Sequence, residues 1–190
     1  MSGLLRRGWP VFLATVVGNA VVQALTTVPR ATPSPSAGFL GLAAVSLVAL
    51  ILSVALCIAT LRRGVAGGRG PWWRWTDGAA AVAAMLAVAL AALASSWLVP
   101  VALVIVLIVL AGIVVGRGAA GFVAFRRAPT RSVLLTLVTL VAVGLLWLGA
   151  LLLGFFVTGW LSAGATWLVF GAVGVVLLCA WTALAARAVR

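Results

Sequence analysis

Six apolar runs alternate along the chain with short segments that hold nearly all of the polar residues. The runs are Trp9 to Val28, Gly38 to Leu61, Gly78 to Ser95, Val99 to Gly116, Ser132 to Val157 and Leu161 to Ala186. A helix needs roughly 20 apolar residues to cross a hydrocarbon core of about 30 Å. The pattern therefore predicts an all-α polytopic membrane protein, a six-transmembrane-helix bundle forming a single domain over residues 1–190. The punctuation agrees. Pro29 to Ala37, PRATPSPSA, reads as a polar loop broken by three prolines. Pro10 suits the first turn of a helix. Ser96 to Val99 makes a tight turn, Pro100 opens the fourth helix, and a short turn falls near Thr158 to Trp160. The chain reads as three successive helical hairpins. No residue-level repeat links them, so an inverted-repeat transporter is not indicated.

Composition makes lipid the natural solvent. Hydrophobic residues are 66% of the 190 and charged residues only 7%, against about 25% charged in soluble domains. The formal charge of +12 would suggest nucleic acid in a soluble chain. Here that partner is excluded, because all thirteen basic residues are arginines clustered between apolar runs, where orientation signals belong. The chain has no Lys, His or Tyr and one acid, Asp77, a bias that fits a high-GC bacterial gene and hence a bacterial inner membrane.

Arginine placement sets the expected orientation. With the N-terminus inside, the cytoplasmic set is Arg6, Arg7, Arg62, Arg63, Arg69, Arg74, Arg117, Arg126, Arg127, Arg131, Arg187 and Arg190; Arg30 alone lies outside. This split predicts both termini on the cytoplasmic side. Trp9, Trp72, Trp73, Trp75, Trp97, Trp160 and Trp181 fall near the expected interfaces, where amphipathic rings sit well, and Trp147 and Trp167 lie deeper. The first run also has signal-peptide features: Arg6 and Arg7, an apolar core and Val-Gln-Ala ending at Ala24. Its internal polar residues favour a retained helix.

The missing residues exclude most chemistry. Without His there is no HExxH and no Ser-His-Asp arrangement, no bis-His haem, and no His-bearing metal site. A CxxC pair is absent, and Cys57 and Cys179 read as small packing residues. One acid at a membrane edge does not build a proton relay. The expectation is a non-enzyme without cofactor or metal.

Two polar stripes remain. Thr15, Asn19, Gln23 and Thr26 share one face of the first helix, bordered by Gly18. This face is read either as a ligand path opening outward or as interhelical glue. The second helix carries Ser46, Ser53, Cys57 and Thr60, with Gly38 and Gly41 at its outer start; the two stripes are expected to pack together. The Ala-rich third helix is expected to be central and the Val/Leu/Ile-rich fourth peripheral. Gly144, Gly149, Gly154, Gly159, Gly164, Gly171 and Gly174 mark expected close crossings or flexible points in the last two helices.

The most distinctive loop is RGPWWRWTDG, Arg69 to Gly78. Arg69, Trp72, Trp73, Arg74, Trp75 and Asp77 form a candidate docking or anchoring element. Asp77 is placed to cap the third helix, with Arg74 as its expected charge partner. Arg117 to Arg131, with Phe122 and Phe125 beside Arg126 and Arg127, invites the same two readings.

The helix layout resembles two families. Six helices with cytoplasmic termini and a cytoplasmic loop between the second and third resemble a reduced ABC-2-type permease, which implies coupling to a separate ATPase through Arg62 to Asp77; the chain is short for that family. Size and helix count are similar to the substrate-binding subunits of energy-coupling-factor transporters. That resemblance implies a small-residue patch at Ala14 and Gly18 for a coupling subunit and a ligand cap at Pro29 to Ala37. The leading expectation is a non-catalytic subunit or accessory partner of a membrane complex, working through helix packing and basic loops. A transporter component for a small or lipidic molecule is the alternative. The expected partners are membrane lipids and another membrane subunit or a cytoplasmic ATPase.

Overall fold

A computed structural model describes residues 2–28, 36–68, 71–116, 118–157 and 159–189. These form seven α-helices: α1 (Ser2–Thr27), α2 (Ala37–Val65), α3 (Trp75–Ala94), α4 (Leu98–Val114), α5 (Ala120–Arg127), α6 (Pro129–Phe156) and α7 (Trp160–Val189). Six correspond to the apolar runs. The seventh, α5, lies in the basic segment that sequence patterning left unassigned.

Several boundaries move outward. α1 starts at Ser2 and carries Pro10 in its interior, not in its first turn. α3 starts at Trp75 and α6 at Pro129, where a proline has no N–H to waste. Ser36 caps α2, its Oγ accepting the Phe39 N–H at 3.3 Å. The far end of α2 closes through Gly67 and Gly68, with φ of 69° and 87°. The Gly68 N–H returns to the Arg63 carbonyl at 2.8 Å, a left-handed exit that glycine alone makes without strain.

Five helices, α1, α2, α3, α6 and α7, are long and apolar enough to cross a membrane. α4 is apolar throughout but has 17 residues. Large apolar side chains cover the outside: Leu13 and Leu25 on α1, Leu40 and Leu52 on α2, Leu86 and Leu90 on α3, and Leu145 and Leu151 on α6 are all exposed. Such a surface suits lipid, and helices satisfy their backbone polar groups within themselves there. The class this architecture defines is a multi-pass helical membrane protein.

The packing order differs from expectation. α4 and α7 are the hubs. Among the described residues α7 packs against α1, α2, α4, α5 and α6, and α4 against α2, α3, α5, α6 and α7, while α3 touches only α2 and α4. Val104, Ile108, Leu110, Ala111 and Val114 of α4 are buried, whereas α3 buries only Asp77, Ala81 and Ala84. The Ala-rich third helix is thus peripheral and the branched fourth helix central, the reverse of the sequence reading. Small side chains permit close approach but do not fill a core, and volume decides here.

Arginine-bearing helix ends gather at one end of the bundle. Arg62 of α2 meets Asp77 of α3, and Arg127 of α5 reaches the Ala188 carbonyl of α7. Burial concentrates at the same end, where Phe12, Ile58, Leu61, Leu110, Val114 and Leu178 share a cluster with Cys57 and Cys179. Both cysteines are free thiols.

The glycines divide. A Cβ on Gly171 would meet Val16 at 2.9 Å and one on Gly164 would meet Ala24 at 3.3 Å, so these two set the α1–α7 crossing. Gly38, Gly41, Gly144, Gly149, Gly154 and Gly174 have open space at the Cβ position and mark no crossing among the described residues. Gly121 is the tightest: its α-carbon lies against the Ile108 carbonyl and seats α5 on α4.

Candidate functional site

Asp77 organises the arginine-rich end. It is 1% exposed and lies in the first turn of α3. Its Oδ2 accepts from Arg62 Nη2 at 2.6 Å and its Oδ1 from Arg62 Nε at 3.3 Å. This is the bidentate geometry a guanidinium fork favours. Oδ2 also accepts the Arg74 N–H at 3.2 Å, which caps the start of α3. The cap agrees with expectation; the charge partner does not. Arg62, fifteen residues away, takes the carboxylate, and Arg74 supplies only its backbone. The i to i+3 spacing of Arg74 and Asp77 straddles the helix start, where the preceding residue is still extended (φ −126°, ψ 142°), so the two side chains do not face each other. With both oxygens engaged, Asp77 serves as a structural counter-ion.

Around this clasp the aromatic residues splay outward. Trp72, Trp73 and Trp75 are 58%, 45% and 78% exposed, and Arg74 is exposed as well. Arg69 lies outside the described residues. Arg62 Nη1 also donates to the Pro71 carbonyl at 3.4 Å, which ties the loop to α2. The Arg63 guanidinium stands 4.0 Å over the Trp72 ring, a cation–π contact. These contacts tie Pro71 and Trp72 to the end of α2, and the three tryptophans are exposed.

The polar stripe on α1 is largely spent within the bundle. Asn19 and Gln23 are buried. Ser46 Oγ of α2 donates to Gln23 Oε1 at 2.7 Å, and Gln23 Nε2 donates to the Ser46 carbonyl at 3.1 Å and to Asn19 Oδ1 at 3.4 Å. Thr26 donates to the Gln23 carbonyl of its own helix at 2.8 Å. Thr15 is half-buried. The two stripes do meet, and among the described residues only Ser46 bonds across. Ser53 and Thr60 donate back to the Ala49 and Leu56 carbonyls of α2, each at 2.7 Å, the usual recourse of a hydroxyl inside a helix. Ala14 and Gly18 turn the other way and are exposed, with open space beside Gly18. The expected ligand cap, Pro29 to Ala37, lies mostly outside the described residues.

One constellation went unread in the sequence. Trp181 of α7 is fully buried among its neighbouring helices. Its ring stacks on Phe125 of α5 with centroids 6.0 Å apart, and its Nε1 donates to Thr139 Oγ1 of α6 at 3.2 Å. Ala120, Gly121 and Ala124 form the buried face of α5. Arg127 Nη1 donates to the Ala188 carbonyl at 2.6 Å and so caps the end of α7. The small-residue face of α5 was the available signal, since Ala120, Gly121 and Ala124 fall on one side of a helix.

No protein-family model matches the chain, nor does any curated protein or solved structure.

Proposed function

We propose that this chain is a six-span bacterial inner-membrane protein with both termini cytoplasmic, acting as a non-catalytic subunit or accessory partner of a membrane complex. α4 is the sixth span in this reading: its 17 residues sit at the short end of the spanning range of about 17–25. The observation that carries the proposal is the closure of the Gln23–Ser46 pair. The most polar face in the bundle joins α1 to α2, which supports a working surface on the outside. The exposed tryptophans of the α2–α3 loop and the arginines around them supply such a surface.

Gln23→Leu tests the role of the stripe. Interhelical hydrogen bonds in membranes contribute about 0.6 kcal/mol each, at most about 2. The variant should unfold more readily in detergent titration by that amount and keep whatever protein copurifies with the parent in mild detergent. Loss of the partner with stability unchanged would assign the stripe to recognition. A parent that purifies alone from its native host would overturn the subunit reading.

Exposure of Ala14 and Gly18 on α1 favours the second reading, a transporter component resembling the energy-coupling-factor subunits. In that case the copurifying protein is a coupling subunit or an ATPase, bound through the small-residue face of α1.

A further inference from the structure

We infer that the arginine-rich end holds a binding site for a phosphate group, in a cavity between the start of α1 and the end of α2. The cavity is open on one side and has a volume of about 340 Å³. Leu4, Val11 and Thr60 line it together with Arg7, Arg63 and Trp72. It therefore has an apolar wall and a cationic wall. Close approach of the helices forms it: a Cβ on Gly64 would lie 3.0 Å from Leu4, and one on Gly8 would lie 2.8 Å from Thr60.

Charge accounting points to an anion from outside the chain. There are thirteen arginines and one acidic side chain, and Arg62 holds that acid at 2.6 Å. Arg7 and Arg63 face the same cavity without a carboxylate side chain left to pair with. Arg63 is fixed in place, its guanidinium over Trp72 and its Nη2 donating to the Gly68 carbonyl at 3.4 Å. Its Nη1 is buried and has no hydrogen-bond partner among the described residues. A buried donor left unpaired costs free energy, more so when charged.

The donors are side chains and not a helix end. The N–H groups of Ala66, Gly67 and Gly68 are already used on the carbonyls of Arg62, Gly64 and Arg63. Two guanidinium groups are suited to phosphate, which they bind through paired N–H donors. The apolar wall formed by Leu4 and Val11 suits the esterified side of such a group. A phospholipid headgroup of the adjacent leaflet and a free phosphate share this chemistry. The inference holds whether the chain is an accessory subunit or part of a transporter.

The test uses the full chain purified in mild detergent. Native mass spectrometry would follow retention of phosphatidylglycerol after reconstitution in nanodiscs of a phosphate-free galactolipid with and without phosphatidylglycerol. Arg7 is exposed, so Arg7→Gln should leave the fold intact. It should lower retention about fivefold, the worth of one arginine near an anionic headgroup. Arg63→Gln should lower it at least as much. Arg126→Gln, also exposed and outside the cavity, should change nothing. In a second arm, inorganic phosphate is added to delipidated protein against chloride at equal ionic strength. A rise in melting temperature with phosphate, lost in Arg7→Gln, supports the site with free phosphate as its ligand. Lipid retention without that rise supports it with the headgroup as ligand. Equal retention by the parent, Arg7→Gln and Arg126→Gln, with no response to phosphate, overturns the site.

Discussion

Asp77→Ala loosens the whole arginine-rich end, with an expected loss of about 3–5 kcal/mol of stability. Truncation leaves Arg62 charged, with its side chain 11% exposed and no acceptor for Nη2. It also removes the cap on the Arg74 N–H and the ion pair that ties α2 to α3 at this end. The effect is large because the cost falls on the abandoned charge, and the pair itself contributes less than its removal suggests. Arg62→Leu combined with Asp77→Leu should therefore recover most of the loss, since an apolar pair of similar size replaces a buried ion pair at little cost. Reversible unfolding in mixed micelles measures both. If Asp77→Ala is as stable as the parent, the clasp does not hold this end together.

Trp181→Ala is expected to cost a similar amount, about 3–5 kcal/mol, as large buried aromatics do when truncated. Trp181 is fully buried, and three helices converge on it: its own α7, α5 through Phe125, and α6 through Thr139. α6 packs against α4, α5 and α7, and the Trp181–Thr139 hydrogen bond is one of its ties to α7. Beyond Val143 its exposed residues include Leu145, Leu148, Leu151 and Leu152, so its anchoring is confined to its first half. The local consequence should appear as faster proteolysis after Arg126 or Arg127 in the Trp181→Ala protein. A combined Trp181→Phe and Thr139→Val variant keeps an aromatic ring in the site, gives up part of the volume and drops the hydrogen bond; its loss should stay at about 1–2 kcal/mol, well below that of Trp181→Ala. An equal loss in both variants would show that the hydrogen bond, and not the packing, is what matters.

The helices were legible because lipid demands long apolar runs, and nothing subtler than hydrophobicity is needed to see them. Their arrangement was not. Between helices in a membrane the hydrophobic effect is weak, and packing depends on shape. Alanine content therefore pointed to α3 as the centre, while the volume of Val104, Ile108 and Leu110 made α4 the hub. The α1 stripe was readable down to its partner helix, since Asn19 and Gln23 have few alternatives to bonding inside a bundle. Which hydroxyl would answer was not readable: Ser46 bonds across, while Ser53 and Thr60 bond to their own helix. Asp77 stood out as the lone acid, but its partnership with Arg62 comes from the loop turning back on α2, and residue spacing does not encode that turn. α5 escaped notice because eight residues hold too little apolar surface to register beside the long runs.

Orientation and span count are the claims on which the functional reading depends, and labelling from the outer face tests both. Cys57 and Cys179 would be replaced by Ala, and single cysteines introduced at Ala66, Ser96 and Gly118, all outside the helices. An impermeant maleimide applied to intact spheroplasts should label Ser96→Cys and leave Ala66→Cys and Gly118→Cys untouched until the membrane is opened. Labelling of Gly118→Cys from outside would mean that α4 does not cross, which would place the basic α5 segment on the outer face and contradict the six-span protein with cytoplasmic termini.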